Sequence, residues 1–212
     1  MDYNVSSKQE QRGILTGMLL GVGRRDQCNF FIQHALQQRD YVLFKKDVLE
    51  VITRKPIQLQ ARKHLSGKPL LRIQPKQTPL IRVLVQRLYF GNEKVITRSF
   101  LNYLTPQGIA IWFMDKGSKS FKKKDGEIHA LEVALNTNTS REENELIIAY
   151  FLEVWGFRWG LSKGRKEYRL RMGTKEGKRF LDFLRPYVPP PMADKLDTSY
   201  NRDGRHLRTK AV

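Results

Sequence analysis

Apolar and polar residues alternate along the chain in two rhythms. In some segments the apolar positions recur every three to four residues, as on one face of a helix, and in others every second residue, as on one face of a strand. The first part of the chain thereby predicts a helix over Gln9–Leu20 ended by Gly21 and Gly23, a strand over Gln27–Gln33, a helix over Gln37–Ile52, a hairpin of strands Ile57–Lys63 and Lys68–Gln74 around Ser66-Gly67, and a helix opened by Thr78 and Pro79 that runs to about Leu88.

The same order of elements occurs a second time, so the chain contains an internal repeat. The second series is a helix opened by Thr105 and Pro106 that runs to Gly117, a strand over Glu127–Leu135, a helix capped by Ser140 that runs to Trp155, a hairpin over Trp159–Met172 around Lys163-Gly164, and a helix over Thr174–Leu184. We predict a first half over residues 1–90, a linker over 91–102, a second half over 103–188 and an extended, partly disordered basic tail over 189–212.

The charge of the chain indicates its kind of partner. Its 212 residues are 40% apolar, which suffices for a substantial core, and 39 Lys and Arg against 21 Asp and Glu give a net charge of +18. Such self-repulsion is typical of proteins that bind a polyanion, so nucleic acid is the leading partner. An anionic membrane is the competing partner, but we find no long apolar run, signal peptide or lipidation motif, and we expect no membrane binding.

The cysteines and histidines of the sequence indicate the cellular compartment and whether a metal site is expected. Cys28 is the single cysteine, so an internal disulfide and a cysteine metal cluster are excluded. This fits a reducing intracellular compartment, either cytoplasm and nucleoid or the matrix of an organelle that makes the protein itself, and not secretion. The four histidines show no metal-ligand spacing, which leaves no expected zinc site: His34, His64, His129 and His206.

Polar residues on the predicted strands are of the types that read base pairs. Gln pairs with adenine and Arg with guanine in the major groove, and Lys meets phosphates. We predict nucleic-acid contacts in the first half at Arg24, Arg25, Gln27, Asn29, Gln33, Gln58, Gln60, Arg62, Lys63, Lys68, Arg72 and Gln74. In the second half we predict them at Lys119, Lys122, Lys123, Lys124, Lys163, Arg165, Lys166, Arg169 and Arg171. The alternatives are ordinary solvent-facing strands and, for Lys119 to Lys124, a solvated loop.

Two nine-residue segments end the first helix of each half: Leu15–Gly23, LTGMLLGVG, and Ile109–Gly117, IAIWFMDKG. Small residues such as Gly17 and Ala110 let two helices pack closely, and the final glycine lets the chain leave the helix sharply. Both segments resemble the LAGLIDADG motif. Their surroundings are similar to those in single-chain, two-motif, intron-encoded LAGLIDADG homing endonucleases, at Tyr89–Lys94, Tyr103–Pro106, Leu135–Thr137 and Pro190–Leu196.

This resemblance spans the chain to about Leu196 and implies a fold. It implies an α+β protein in which an αββαββα unit is duplicated with pseudo-twofold symmetry. The two motif helices would pack at the centre, and a saddle-shaped sheet would lie on duplex DNA. One chain would then act as a monomer with a pseudo-dimeric architecture.

The chain departs from the family at its catalytic positions. In active members the residue before the last glycine of each motif is acidic, and the two carboxylates hold Mg²⁺ at the scissile phosphates. Here Val22 and Lys116 stand at those positions. Asp115 falls one residue early, about 100° around the helix, and Asp26 would approach only if the turn folded back. Lys94 and Lys195 match basic positions near the family's active sites.

These departures favour a catalytically degenerate protein that binds double-stranded DNA sequence-specifically without cutting it, and no metal or other cofactor is expected. One alternative is an RNA-binding group I intron maturase or a ribonucleoprotein subunit with structured intron RNA as partner. Duplex DNA is favoured because the deep, narrow major groove of an RNA helix excludes such strand ribbons. The other alternative is an active Mg²⁺-dependent endonuclease that uses displaced carboxylates.

Overall fold

A computed structural model of the chain describes residues 5–164 and 168–198. The first half follows the order αββαββα, with α1 over Lys8–Leu20, β1 over Arg24–Asp26, β2 over Asn29–Ala35, α2 over Arg39–Thr53, β3 over Gln60–Lys63, β4 over Pro69–Ile73 and α3 over Pro79–Leu88. A short 3-10 helix over Leu36–Gln38 precedes α2. The predicted helices and hairpin of this half are confirmed. The strand predicted over Gln27–Gln33 is β2, which begins at Asn29, and β1 before it was not predicted. Gln27, in a left-handed conformation, and Cys28 form the turn between β1 and β2.

The predicted linker is structured rather than irregular. It holds part of a small hairpin and a short helix, with β5 over Tyr89–Phe90, β6 over Glu93–Lys94 and α4 over Arg98–Leu101. Phe100 and Leu101 of α4 are fully buried. The chain therefore contributes to the core in this region as well.

The second half repeats the αββαββα order. It comprises α5 over Pro106–Lys116, β7 over Gly117–Lys124, β8 over Glu127–Leu135, α6 over Arg141–Trp155, β9 over Gly160–Lys163, β10 over Tyr168–Met172 and α7 over Thr174–Leu184. The alternative of a solvated loop at Lys119 to Lys124 is wrong, since residues 117–124 pair with β8 as a strand. The predicted extended tail begins instead with a 3-10 helix over Pro190–Lys195, and Met192 and Leu196 are buried.

Each half forms one antiparallel sheet with the same strand order, β1-β2-β4-β3 in the first and β7-β8-β10-β9 in the second. In the first sheet, Phe30, Ile32 and Ile73 point to a buried face that α2 and α3 cover. The second sheet is covered by α6 and α7, and its core is aromatic, since the Trp159 and Phe180 rings lie 5.0 Å apart between centroids. One face of each sheet is thereby left polar.

Side-chain caps fix where the helices begin. Thr78 accepts a hydrogen bond from the Ile81 amide, and Pro79 occupies the first turn of α3, where its missing amide hydrogen costs nothing. At α6, Ser140 and Glu143 form a reciprocal capping box. Gly156 ends the same helix in a left-handed conformation with φ of 68°. These caps explain why the predicted bounds of α3 and α6 match the observed ones.

The two motif helices α1 and α5 cross at their glycines. A Cβ atom at Gly17 would overlap the carbonyl of Gly108, and one at Gly108 would overlap the carbonyl of Gly13. The backbone of α5 thus meets Gly17 at Gly108, two residues before Ala110. Around the crossing the helices are buried on nearly all sides, including Trp112 and Met18. The motif sequence therefore serves first as a packing surface.

The two compact units of the chain do not coincide with the two halves of the repeat. One compact unit comprises the described parts of residues 1–116 with 187–192, and the other those of 117–186 with 193–212. Both motif helices belong to the first unit, and the second sheet with α6 and α7 belongs to the second. In the described ranges, 5–164 and 168–198, no helix combines the length and apolarity that crossing a membrane requires.

Candidate functional site

A row of polar side chains crosses the first sheet. The register pairs Gln33 of β2 with Arg72 of β4, and Arg72 with Gln60 of β3, so these three side chains share one face. The Arg72 guanidinium carbon lies 3.8 Å from the centroid of the Phe31 ring. Stacking of this kind holds the guanidinium in a fixed plane, which suits bidentate recognition.

Further contacts order this face. Arg72 donates to Gln74 Oε1 at 2.8 Å, and Gln74 donates to Asp26 Oδ2 at 2.6 Å. Asp26 therefore belongs to the polar face, and its carboxylate does not turn back toward Val22. Arg62 donates to Gln60 Oε1 at 2.9 Å. The side chains of the face are thus held in place by one another.

The other predicted contacts of the first half differ in position. Gln27, Gln58, Arg62, Lys63 and Lys68 are exposed, as is Arg24. The side chains of two further predicted residues are held by hydrogen bonds within the protein. Asn29 donates to the Pro75 carbonyl at 2.8 Å and caps the Phe30 amide. Arg25 is paired with the buried Phe30, and its guanidinium donates to the carbonyls of Gln27 and Gly91.

The polar face of the second sheet carries arginines around one acid. Arg169 and Arg171 of β10 alternate with the buried Leu170 and Met172, as predicted from the sequence. Glu132 of β8 lies among the cations, 3.3 Å from Arg169 and 3.7 Å from Lys122. This carboxylate neutralises part of the face and was missed by reading the hairpin alone. Arg165 and Lys166 lie outside the described residues.

The four lysines between Lys119 and Lys124 lie in different environments along β7. Lys122, Lys123 and Lys124 are exposed near the end of β7, and Lys163 is exposed on β9. Lys119 is instead paired with the buried Val133 and donates to the carbonyls of Asp194, at 2.6 Å, and Asp197. Lys119 therefore binds the C-terminal segment. Lys195 in turn donates to the Gly117 carbonyl at 2.9 Å.

The end of the second motif contains a buried ion pair. The side chains of Asp115 and Lys45 are both 0% exposed, and Nζ lies 2.5 Å from Oδ1. Tyr41 donates to the same oxygen at 3.0 Å, and the Val22 amide donates to Oδ2 at 3.1 Å. Burial lowers the pKa of Lys45, while the charge of Asp115 opposes this shift.

The sequence did not identify Lys45 as a site residue, because its partner Asp115 is remote in sequence. Its ammonium also lies 3.1 Å from His34 Nε2, and His34 Nδ1 lies 2.9 Å from Gln38 Oε1. The available signal was its place on α2, where it falls among Tyr41, Val48 and other apolar positions at helical spacing. A lysine on an apolar helix face requires a buried acid, and Asp115 supplies it.

The donor set at the ends of α1 and α5 does not fit Mg²⁺. The cation prefers several oxygen ligands, but Val22 offers none from its side chain and Lys116 repels it. The oxygens of Asp115 already accept hydrogen bonds from Lys45, Tyr41 and the Val22 amide. Within the described ranges no cluster of three or more His, Cys, Asp or Glu residues has a geometry suited to a metal ion.

A basic cleft of about 740 Å³ opens beside these helix ends. Four of its lining residues are cations, namely Arg24, Arg25, Lys94 and Lys116. Lys94 donates to the Leu19 carbonyl at 2.7 Å. Burial, with a smaller contribution from the charge of Lys116, lowers the pKa of Lys94 to about 8.

Fold and site together define a class of protein, in which a duplicated αββαββα unit brings two glycine-bearing helices together beside a basic cleft. The sequence model of the LAGLIDADG DNA endonuclease family matches residues 12–180, and the chain belongs to this family. The α+β LAGLIDADG fold is thereby confirmed. Val22 and Lys116 are the residues that precede the final glycine of each motif segment.

Individual relatives resemble the chain to different extents. Protein RecA of Mycolicibacterium chitae is 25% identical over 218 residues, 95% of this chain and 49% of that protein. The chain thus spans about half the length of the first curated relatives it matches. Cytochrome b mRNA maturase bI2 of Saccharomyces cerevisiae is 30% identical over 110 residues, 50% of this chain and 24% of that protein.

The fold has a close structural counterpart. The homing endonuclease I-WcaI bound to its DNA recognition sequence superposes with a TM-score of 0.75 at 21% identity, covering 94% of this chain and 97% of that one. At this identity the similarity shows the fold alone.

Proposed function

We propose that this homing-endonuclease-like chain binds duplex DNA sequence-specifically and does not cut it. The observation that carries the proposal is the state of Asp115, the one acid in the two motif segments. Its carboxylate is buried, paired with Lys45 and hydrogen-bonded on both oxygens. Removing it from this pair to hold a metal would leave Lys45 charged and unpaired in the core, which is strongly unfavourable.

Binding rests on the polar faces of the two sheets. Gln and Arg side chains reach base edges in the major groove, which admits a two-stranded ribbon. Gln33, Arg72 and Gln60 form such a row on the first sheet, and Arg169 and Arg171 project from the second. Because one chain carries both sheets, we propose that it binds as a monomer. The DNA-bound state of I-WcaI, which shares the fold, supports duplex DNA as the partner.

The test begins with selection of a target from a random duplex library by the purified chain. We expect nanomolar to micromolar binding of a defined sequence, and no strand breaks when that duplex is incubated with Mg²⁺ or Mn²⁺. A metal-dependent double-strand cut would show that displaced carboxylates support catalysis and would refute the proposal. An Asp115→Asn preparation is the matched control, because a cut that persists in it does not use that acid.

The maturase alternative is favoured by one observation, the 30% identity to the yeast mRNA maturase over half of this chain. Filter binding at matched salt compares the selected duplex with a panel of structured group I intron RNAs. We expect the duplex to bind at least tenfold more tightly. Tighter binding of one intron RNA would support a splicing cofactor instead, and equal binding of many RNAs would support a ribonucleoprotein subunit.

A further inference from the structure

The polar face of the first sheet continues into an apolar row. Two residues beyond the row that begins with Gln33, the register places Ala35 of β2, Leu70 of β4 and Arg62 of β3 side by side on the same face. Ala35 is exposed and Leu70 is half-buried. Two of the three side chains in this row are therefore aliphatic, on a face that also carries amides and arginines.

A fully exposed leucine lies at the tip of the same hairpin. The exposed fraction of Leu65 is 104%, so its side chain contacts almost nothing else in the protein. The turn that carries it is held by two hydrogen bonds of 2.8 Å, from the Gly67 amide to the His64 carbonyl and from the His64 amide to the Lys68 carbonyl. Gly67 adopts the left-handed conformation, with φ of 79°, that favours glycine. An ordered turn thus exposes an apolar side chain whose burial against a partner would be favourable.

Cations surround the two leucines. Arg62, Lys63 and Lys68 are exposed in this hairpin. An apolar protein partner would bury these charges at a cost, whereas a polyanion neutralises them. The row is also continuous with the row of Gln33, through which we propose that the chain reads base pairs. Charge and continuity together indicate that the same duplex covers the leucines.

The major groove of DNA offers one apolar group that matches such a row. The edges of the bases carry hydrogen-bond donors and acceptors, and the exception is the 5-methyl group of thymine. An aliphatic side chain placed over a donor or acceptor would leave that group unpaired, which is unfavourable. Contact with a thymine methyl group instead removes apolar surface of both partners from water.

The second half of the chain lacks this apolar feature. The repeat places Arg169 of β10 where β4 has Leu70, since both residues are second in strands of five. The four residues between β9 and β10 are Gly, Arg, Lys and Glu, so the sequence there contains no counterpart of Leu65. The apolar contact would therefore occur in one half-site only.

We propose that Leu65 and Leu70 recognise thymine, through van der Waals contact with its 5-methyl group, in the half-site that the first sheet contacts. The inference rests on the proposed function, because it names a base within the duplex that the chain binds. It assigns sequence specificity to two side chains that form no hydrogen bond. Uracil lacks this methyl group, so the contact also distinguishes thymine from uracil in an otherwise identical base pair.

Replacement of thymine by deoxyuridine tests the proposal, since it removes the methyl group and keeps every hydrogen bond of the base pair. Each thymine of the selected duplex is replaced in turn, and fluorescence anisotropy gives the Kd. Loss of one buried methyl group corresponds to an affinity loss of about three- to fourfold. We expect the wild type to show this loss at one or two thymines of the first half-site and at none of the second.

The leucine variants should lose the discrimination itself. Leu65→Ala and Leu70→Ala should each bind the thymine duplex about as weakly as the wild type binds the uracil duplex, and each should ignore the replacement that its leucine senses. Leu65→Met keeps an apolar contact and should retain the discrimination. Val51→Ala, at a position 56% exposed on α2, removes apolar surface away from the hairpin and should also retain it. Circular dichroism of each variant excludes misfolding as the cause.

The failure of this inference differs from that of the proposed function. Sequence-specific binding with equal affinity for thymine and uracil at every position would overturn the inference and leave the proposed function intact. The same thymine preference in both alanine variants of the leucines, or a selected first half-site without a preferred thymine, would overturn it as well. If selection yields no specific duplex, the proposed function fails and this inference fails with it.

Discussion

A lysine is stable in the core at position 45 because three groups surround its ammonium. Asp115 supplies the opposite charge, His34 a nitrogen at 3.1 Å, and Tyr41 an aromatic face with its centroid at 4.4 Å. Each compensates part of the cost of removing a charge from water. Asp115 also accepts a hydrogen bond from the Val22 amide, so the ion pair connects the end of α5 to the segment that follows α1.

Breaking this pair is expected to be costly, and replacing both partners much less so. Lys45→Met leaves Asp115 buried and unpaired, so the free energy of unfolding should fall by about 3–5 kcal/mol. The double variant Lys45→Met with Asp115→Leu removes both charges and should recover more than half of this loss. Urea denaturation followed by circular dichroism measures both values. Additive losses in the double variant would mean that the two residues do not act as a pair.

The lowered pKa of Lys94 predicts a pH dependence of DNA binding. Below its pKa of about 8 the ammonium is charged and attracts phosphate, and above it the charge is lost. The groups that face it are Arg24 on β1 and both Asp115 and Lys116 on α5. Affinity should therefore fall by up to about tenfold between pH 7 and pH 9.

The control for this effect is Lys94→Arg, which stays charged across the whole range and should bind with little dependence on pH. Fluorescence anisotropy with one duplex at constant ionic strength makes the comparison. The same pH profile in both proteins would assign the titration to another group.

For single residues, the sequence predicted which positions to consider better than it predicted the side chains they contact. The resemblance to the family places Val22 and Lys116 at the two acidic positions of the motif, and this remains a prediction. The pairing of Asp115 with Lys45 was not predicted, because 70 residues separate them and only the folded chain brings them together. Glu132 escaped notice for the same reason, since it reaches Arg169 from a different strand.

At the level of elements, the helices were predicted more completely than the strands. Caps and apolar spacing mark α3 and α6, and apolar spacing marks α7; the observed bounds of all three follow the predicted ones closely. The two missed strands carry almost no apolar alternation, since β1 is Arg-Arg-Asp and β7 has lysines at half of its positions. Their strand conformation is imposed by pairing with β2 and β8, which a local pattern does not record.

The helix crossing is the element-level feature most sensitive to substitution. A methyl group at Gly17 would overlap the Gly108 carbonyl, so Gly17→Ala should reduce the free energy of unfolding by about 3 kcal/mol. Gly160→Ala on β9 is the matched control, because a Cβ there meets its nearest atom at an ordinary 3.7 Å. Thermal and urea unfolding of both variants gives the comparison. Equal, small losses would show that the helices separate without cost.

For the whole molecule, the two sheets share a strand order but not a chemistry. Amides dominate the first face, through Gln33, Gln60 and Gln74, whereas Arg169 and Arg171 dominate the second. Under the proposed function, a net charge of +18 supplies attraction to any duplex, and we expect these faces to distinguish sequences. The duplicated architecture was evident from the sequence repeat, while this difference became visible once the register showed which residues share a face.

The difference predicts an asymmetric target. The half-site contacted by the first sheet should be enriched in adenine and the other in guanine. Gln60→Ala should relax the preference at one or two positions of the first half-site alone, and Arg171→Ala should do so in the second, each at a cost of about 1–3 kcal/mol. Deep sequencing of selected libraries measures this. A palindromic target, or relaxation in the wrong half-site, would contradict the assignment.

The crossing of α1 and α5 has a consequence for how such a chain changes over generations. The glycines at the crossing leave no room for an added atom, whereas the positions before the final glycines of the two segments hold valine and lysine. Packing and catalysis therefore depend on different residues of the same nine-residue motif. A lineage can discard the reaction and keep the architecture, and its descendants would be recognised by their small residues long after their acids have gone.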